Sequence, residues 1–126
     1  MIDIEKQVAY WRNGALSDWE AAQVLLRRQL VRQGLFLLHL ALEKALKAHV
    51  CRQTNDLAPR IHDLAKLAHL ARLSLSEEQL DVLADANPFD FESLYGDASL
   101  PPLSRQEAAL VLRRTEGVFE WMISQL

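Results

Sequence analysis

The chain has 126 residues, half of them apolar and a quarter charged, which suits one domain spanning residues 1–126 with a buried core and excludes a disordered tail. Fourteen Lys and Arg against seventeen Asp and Glu give a net charge of −3, so a nucleic-acid partner would have to meet a local basic patch. The single cysteine, Cys51, excludes an intrachain disulfide and a multi-cysteine zinc site, and four Gly with four Pro are too few for the turns of a β-sandwich or barrel.

The opening run, Met1-Ile2-Asp3-Ile4-Glu5-Lys6, turns polar within three residues and lacks the apolar core of a signal peptide. A first helix is predicted from Asp3 to Leu30. Tyr10, Trp11, Ala15, Trp19, Ala22, Leu25 and Leu26 recur at threes and fours and draw one apolar stripe. Gly14 interrupts it, and Ser17-Asp18-Trp19-Glu20 resembles a capping box. The stripe nevertheless keeps its phase across Gly14, which favours one long helix with a weak spot. A second helix is predicted from Gln33 or Gly34 to Arg52. From Leu35 to Leu42 it is apolar nearly all round, apart from His39, which places it in the middle of a bundle or at a subunit interface. That stretch falls far short of the about 20 residues of a membrane span. The expectation is a soluble, cytoplasmic chain with no membrane partner.

Gln53 to Pro59 reads as a polar turn, followed by a third helix from Arg60 to Ala71 with Ile61, Leu64, Ala65 and Ala68 facing inward. Ser76-Glu77-Glu78-Gln79 is a capping box for a fourth helix, which ends near Ala86 before Asn87-Pro88. Phe89 to Leu103 is predicted to be irregular, broken by Tyr95-Gly96-Asp97 and Pro101-Pro102; loops of that length in compact domains are often functional or mobile. Ser104-Arg105-Gln106-Glu107 caps a last helix from Arg105 to Gln125, lined by Ala108, Leu112, Thr115, Phe119 and Met122. No segment alternates with the period of a strand. The prediction is all-α: an up-down bundle of four long helices plus one shorter helix.

Within the second helix, His39, Glu43 and Lys47 stand four and four apart, on one line of the surface. Such a line can supply a base, an acid and an anion holder. Its structural reading is an i,i+4 pair of Glu43 with Lys47 beside a core histidine. Arg32 and His39, seven apart, share a face two turns along. A His moves the proton of a ribose hydroxyl while an Arg holds the phosphate charge, so this pair suits RNA cleavage without metal. Arg27, Arg28, Arg32 and Arg52 form either a phosphate patch or cations placed near helix C-termini. His62-Asp63 opens the third helix, and the turn before it folds this pair back toward Lys47 and His49, predicting a Lys47–Asp63 ion pair. The spacings of His49, His62 and His69 match no ligand motif, so neither a metal nor a cofactor is expected. No phosphate-binding glycine loop and no Gly-x-Ser-x-Gly elbow is present, and Cys51 lacks a nucleophile signature.

Three places in the chain resemble the HEPN family of small helical-bundle domains. Trp11, Ala15, Asp18, Ala21-Ala22 and Leu25-Leu26 are similar to its first helix. Ala41-Leu42-Glu43-Lys44-Ala45-Leu46-Lys47-Ala48 is similar to its Ala-x-Glu-Lys-x-x-Lys-Ala helix, and His62-Asp63-Leu64 to its His-Asp-Leu. Two departures stand out. His39 replaces a Gln frequent in this subgroup, and Leu94-Tyr95-Gly96-Asp97 keeps only the Tyr and Asp of its Arg-Tyr-Pro-Asp run.

The resemblance implies a dimeric helical bundle, often encoded beside a minimal nucleotidyltransferase. Some members cleave RNA as toxins, and others bind nucleotides or act as partner modules. The leading expectation is a homodimeric nucleotide-binding or nucleotidyltransferase-partner module of a toxin–antitoxin-like system. Glu43, Lys47, His62, Asp63, Tyr95 and Asp97 would form its polar site or network. The alternatives are a metal-independent endoribonuclease using Arg32 and His39, the pair nearest the family's Arg-then-His spacing, and a purely structural interaction module.

Overall fold

Asp3 starts the first helix by accepting a hydrogen bond on its carboxylate from the Lys6 N–H at 3.1 Å. This helix, α1 (Ile4–Arg27), runs unbroken through Gly14 and buries Val8, Ala15, Trp19 and Ala22. The computed structural model describes residues 1–96 and 103–126. Arg28 to Leu30 reverse the chain, with Gln29 at φ 66° and the Leu30 N–H returning to the Leu25 carbonyl at 3.0 Å. Such a left-handed residue lets the last carbonyls of a helix find donors. The second helix, α2 (Val31–Thr54), then packs back along α1.

Two glycines set the fit of this helix pair. A Cβ on Gly34 would stand 2.6 Å from the Leu26 side chain and 3.2 Å from its backbone nitrogen, so only glycine allows the approach beside the turn. A Cβ on Gly14 would meet Lys44 Cδ at 3.1 Å. The Lys44 stem lies over Gly14 and carries its ammonium to Asp18, 2.7 Å away. The weak spot expected at Gly14 is therefore a seat for a lysine of α2.

α2 is the central rod. From Ala41 to Cys51 every residue except Lys44 is buried, including Glu43, Lys47 and His49. Asn55 ends it in the left-handed conformation. Thereafter come α3 (Leu64–Ala71) and α4 (Glu77–Ala86), a 3-10 turn (Asn87–Phe89), the short α5 (Phe91–Tyr95) and α6 (Arg105–Ser124). Full capping boxes start α4 at Ser76 and α6 at Ser104. Trp19 of α1 stacks on Phe119 of α6, with ring centres 4.5 Å apart. The buried His49 donates from Nε2 to the Met122 carbonyl at 2.7 Å and fastens the end of α6 to α2. Among the described residues there is no strand and no helix long and apolar enough to cross a membrane.

The all-helical bundle is the expected one, and several boundaries differ: α1 stops at Arg27, short of Leu30, and α2 runs on past Arg52 to Thr54. α2 starts at Val31, before Gln33, because the tight turn at Gln29 brings the chain into helix sooner. α3 starts at Leu64 rather than Arg60, because Asp63 is its cap and accepts from the Lys66 N–H at 3.1 Å. The stretch after Phe89 is not irregular throughout. Asp90 accepts from the Ser93 N–H at 3.1 Å and nucleates α5.

Candidate functional site

One carboxylate gathers the polar side chains of the core. Glu43, buried on α2, lies 3.0 Å from Lys47 Nζ one turn further along. His62, in the segment before α3, brings Nδ1 to 3.1 and 3.2 Å from the two Glu43 oxygens. His39, one turn earlier on α2, places Nδ1 3.7 Å from Oε1. Lys47 also stands 5.1 Å from the centre of the Trp11 ring, a cation–π contact from α1. The line His39–Glu43–Lys47 read from the sequence is thus the α2 half of a network, and His62 closes it.

The two histidines differ in access. The His39 side chain is 2% exposed and that of His62 is 73% exposed. Burial pushes the His39 pKa below its usual value, and the nearby Glu43 charge opposes this only in part. His39 is therefore a neutral imidazole. Its Nδ1 edge is turned to Glu43, and its Nε2 is buried without a hydrogen-bond partner.

Beside this network lies a cavity of about 260 Å³, walled by Phe36, His39, Glu43, His62, Asp90 and Phe91. α5 forms its outer side. Phe91 packs edge-on to Phe36, ring centres 6.0 Å apart, and stacks on Tyr95 at 5.1 Å. The Arg32 guanidinium sits 5.9 Å from the centre of the Tyr95 ring, outside the cavity wall. The Asp90 carboxyl is held below its usual pKa by its hydrogen bonds from Ser93. The wall is rich in acceptors and aromatic faces, and neither lysine nor arginine lines it. Among the described residues, no group of three or more His, Cys, Asp or Glu could hold a metal ion.

Glu43, Lys47 and His62 meet. Asp63 does not pair with Lys47 as expected. Its carboxylate is used as the α3 cap and lies 3.4 Å from the Asn87 amide nitrogen, which holds its pKa low, while the Lys47 charge is taken up by Glu43. Tyr95 stands beside the cavity in the aromatic group, with Arg32 over it. Arg32 and His39 share α2, but only His39 reaches the wall. Asp97 lies outside the described residues. Of the other cations, Arg52 pairs with Glu5 at 3.4 Å and Arg27 sits in the last turn of α1. The sequence reading missed Trp11 as the platform for Lys47, and Phe36, Asp90 and Phe91 as walls. A signal for the last two was present, since Asp90-Phe91-Glu92-Ser93 offers a capping aspartate followed by an aromatic residue.

Residues 8–126 match the model of the HEPN domain. The fold is similar to the crystal structure of TT1696 from Thermus thermophilus, with a TM-score of 0.78 and 20% identity over 95% of this chain and 98% of that one. It is also similar to ST0689, an archaeal HEPN homologue, with a TM-score of 0.71 and 18% identity over 99% of this chain and 98% of that one. No curated protein matches the chain.

Proposed function

We propose that this chain, which belongs to the HEPN family, is a nucleotide-binding module whose ligand enters the cavity between α2 and α5 base first. The observation that carries this reading is the pair of aromatic rings, Phe36 and Phe91 set edge to face, in a cavity lined otherwise by acceptor-rich side chains. An aromatic wall stacks on any base. The carboxylates of Glu43, Asp90 and Glu92 repel phosphate, so the phosphates stay outside, where Arg32 at the Tyr95 ring is placed to meet them. Lys47, whose charge is engaged by Glu43 and Trp11, holds the network rather than the ligand. A second copy of the chain and a minimal nucleotidyltransferase are the proposed partners. Phe91, 61% exposed, is the apolar side chain available to either beside the cavity.

Titration calorimetry with AMP, CMP, UMP and ATP tests the reading. Binding at micromolar to low millimolar concentration that is lost in Phe36→Ala supports it. No heat with any nucleotide up to several millimolar refutes it. Coexpression with an adjacently encoded nucleotidyltransferase, followed by size-exclusion chromatography, tests the partner.

One observation favours a second reading, metal-independent RNA cleavage. An exposed imidazole fixed by a carboxylate, His62 on Glu43, is a general-base arrangement. It differs from the Arg32–His39 pair, in which the histidine is buried. RNA incubated with the protein in EDTA distinguishes them: loss of cleavage in His62→Ala but not His39→Ala assigns the work to His62.

A further inference from the structure

α3 carries more apolar surface than the core takes up. Of its apolar residues, Leu64, Leu67, Ala68 and Ala71 are buried, while Ala65 and Leu70 are left outside. Together with Ile61 these two floor a depression of about 420 Å³, which Lys66 and His69 also line. A second depression, of about 350 Å³, shares His69 and Leu70 and adds Gln53, Thr54 and Arg72. The two make one groove along the outer side of α3, whose eight residues span about 12 Å.

Single exposed leucines are ordinary on a protein surface. Here the apolar floor is recessed and bordered by cations, and no Asp or Glu lines either depression. Lys66 and Arg72 enter no ion pair among the described residues. The acids nearest in the chain are turned to the backbone: Asp56 accepts from the Leu57 N–H at 2.7 Å, and Asp63 from the Lys66 N–H.

We propose that this groove docks an acidic amphipathic helix of a partner protein, its apolar stripe on Ile61, Ala65 and Leu70 and its carboxylates on Lys66 and Arg72. The inference goes beyond the nucleotide-binding reading and does not depend on it, since the groove shares no residue with the cavity between α2 and α5. An apolar groove flanked by charge suits a helix laid in lengthwise. Strand addition needs a sheet edge, and the described residues contain no strand. Proline-rich segments need an aromatic-lined groove, and no aromatic ring lines this one. A symmetric second copy would set Lys66 and Arg72 against their own equivalents. An anionic lipid surface would meet a recessed floor on a chain of net charge −3.

The test uses a helical peptide with leucines at i, i+3, i+4 and i+7 and glutamates on the flanks, and a control with lysine for every glutamate. Methyl NMR of the full chain is expected to show Ile61, Ala65 and Leu70 shifting with the acidic peptide, which should bind about fivefold or more tighter than the control. Lys66→Glu combined with Arg72→Glu should reverse that preference. Leu70→Ser, at a position 38% exposed, keeps the fold and should abolish binding, so the test does not hang on the double variant. Absence of methyl shifts at millimolar acidic peptide overturns the proposal. So does equal binding of the two peptides, which marks unspecific apolar contact. The same methyls broadening with protein concentration alone, or with phosphatidylserine vesicles and not with peptide, overturns it in favour of a second copy or a lipid surface.

Discussion

Glu43 and His62 lie nineteen positions apart in the chain, and the imidazole Nδ1 stands 3.1 Å from the buried carboxylate. This contact joins the interior of α2 to the segment that leads into α3. Glu43 also holds Lys47, so one acid fixes a charge inside the bundle and a ring at its surface. Asp63, the residue after His62, caps α3 and thereby sets where that segment stops. Core, loop and cavity wall therefore depend on the same few hydrogen bonds.

The Glu43–Lys47 pair is nearly dry, with side chains 6% and 7% exposed. Removing one partner strands the other charge. Lys47→Met is expected to destabilise the fold by about 3–5 kcal/mol, as for other buried pairs that lose one member. Glu43→Leu combined with Lys47→Met removes both charges and should recover most of that loss. Urea denaturation of the two single variants and the double variant checks this. Equal losses for the single and double variants would contradict it.

Two buried histidines make stability fall in mild acid. Burial depresses the pKa of both His39 and His49 in the folded chain, and the unfolded chain returns them to about 6.5. The unfolded state therefore binds more protons once the pH drops below that value. Their contribution is complete above pH ~6.5 and is lost as the pH falls toward the folded pKa values, with a slope of at most about 1.4 kcal/mol per unit for each ring. Asp63 and Asp90 are depressed as well, and they add their loss only below the ordinary carboxylate range. Urea midpoints between pH 7.5 and 5 should fall, and His49→Gln should flatten part of the fall. An unchanged midpoint over that range would show that the rings protonate without penalty.

Two glycines should respond to alanine in opposite directions. At Gly34 the new methyl would lie 2.6 Å from Leu26, so overpacking outweighs the better helix propensity. A loss of about 1–3 kcal/mol is expected. At Gly117, inside α6, nothing stands within 4 Å of the new carbon. Gly117→Ala should therefore stabilise by up to about 1 kcal/mol. Thermal melts of the two variants decide the matter, and the sign of each shift is the readout.

Asp63 separates a structural role from a ligand role. Its carboxylate accepts from the Lys66 N–H, and Asn87 bridges the same corner by accepting from the Leu64 N–H at 2.9 Å. Asp63→Ala is expected to cost about 1 kcal/mol, and Asp63→Ser should restore most of it because serine also caps. Neither change should alter nucleotide affinity by more than about twofold if the residue serves only the helix start. Calorimetry on both variants beside their melts tests the division of labour.

The helices were legible because hydrophobic period and capping residues are local signals. Ser76 and Ser104 each carry their capping partner three residues on. The stripe His39–Glu43–Lys47 was legible for the same reason, since spacing on one helix needs no tertiary knowledge. Its depth was not. Spacing put Glu43 and Lys47 on one line of the helix but could not show that both are buried, on the helix against which α1, α3 and α6 pack. Gly14 read as weakness because the lysine that fills the space is thirty positions away, on another helix. The partner of Lys47 was misplaced onto Asp63 because two acids competed for it, and the sequence does not show that Asp63 is consumed by a helix cap. The cavity wall from α5 escaped notice because five residues are too short for any periodicity.

Arg32 provides the last test, because it separates phosphate from base. Its guanidinium lies at the Tyr95 ring and outside the cavity wall, so it can reach a phosphate without touching a base held inside. AMP should therefore bind tighter than adenosine in the wild-type protein. Arg32→Met should lower AMP affinity by about three- to tenfold, in keeping with one partly exposed charge-assisted contact, and leave adenosine nearly unchanged. The AMP advantage should also shrink as salt rises, because the contact is open to solvent. Calorimetry with both ligands at two salt concentrations measures these effects together. Equal losses for AMP and adenosine would place Arg32 in the support of Tyr95 rather than at the phosphate.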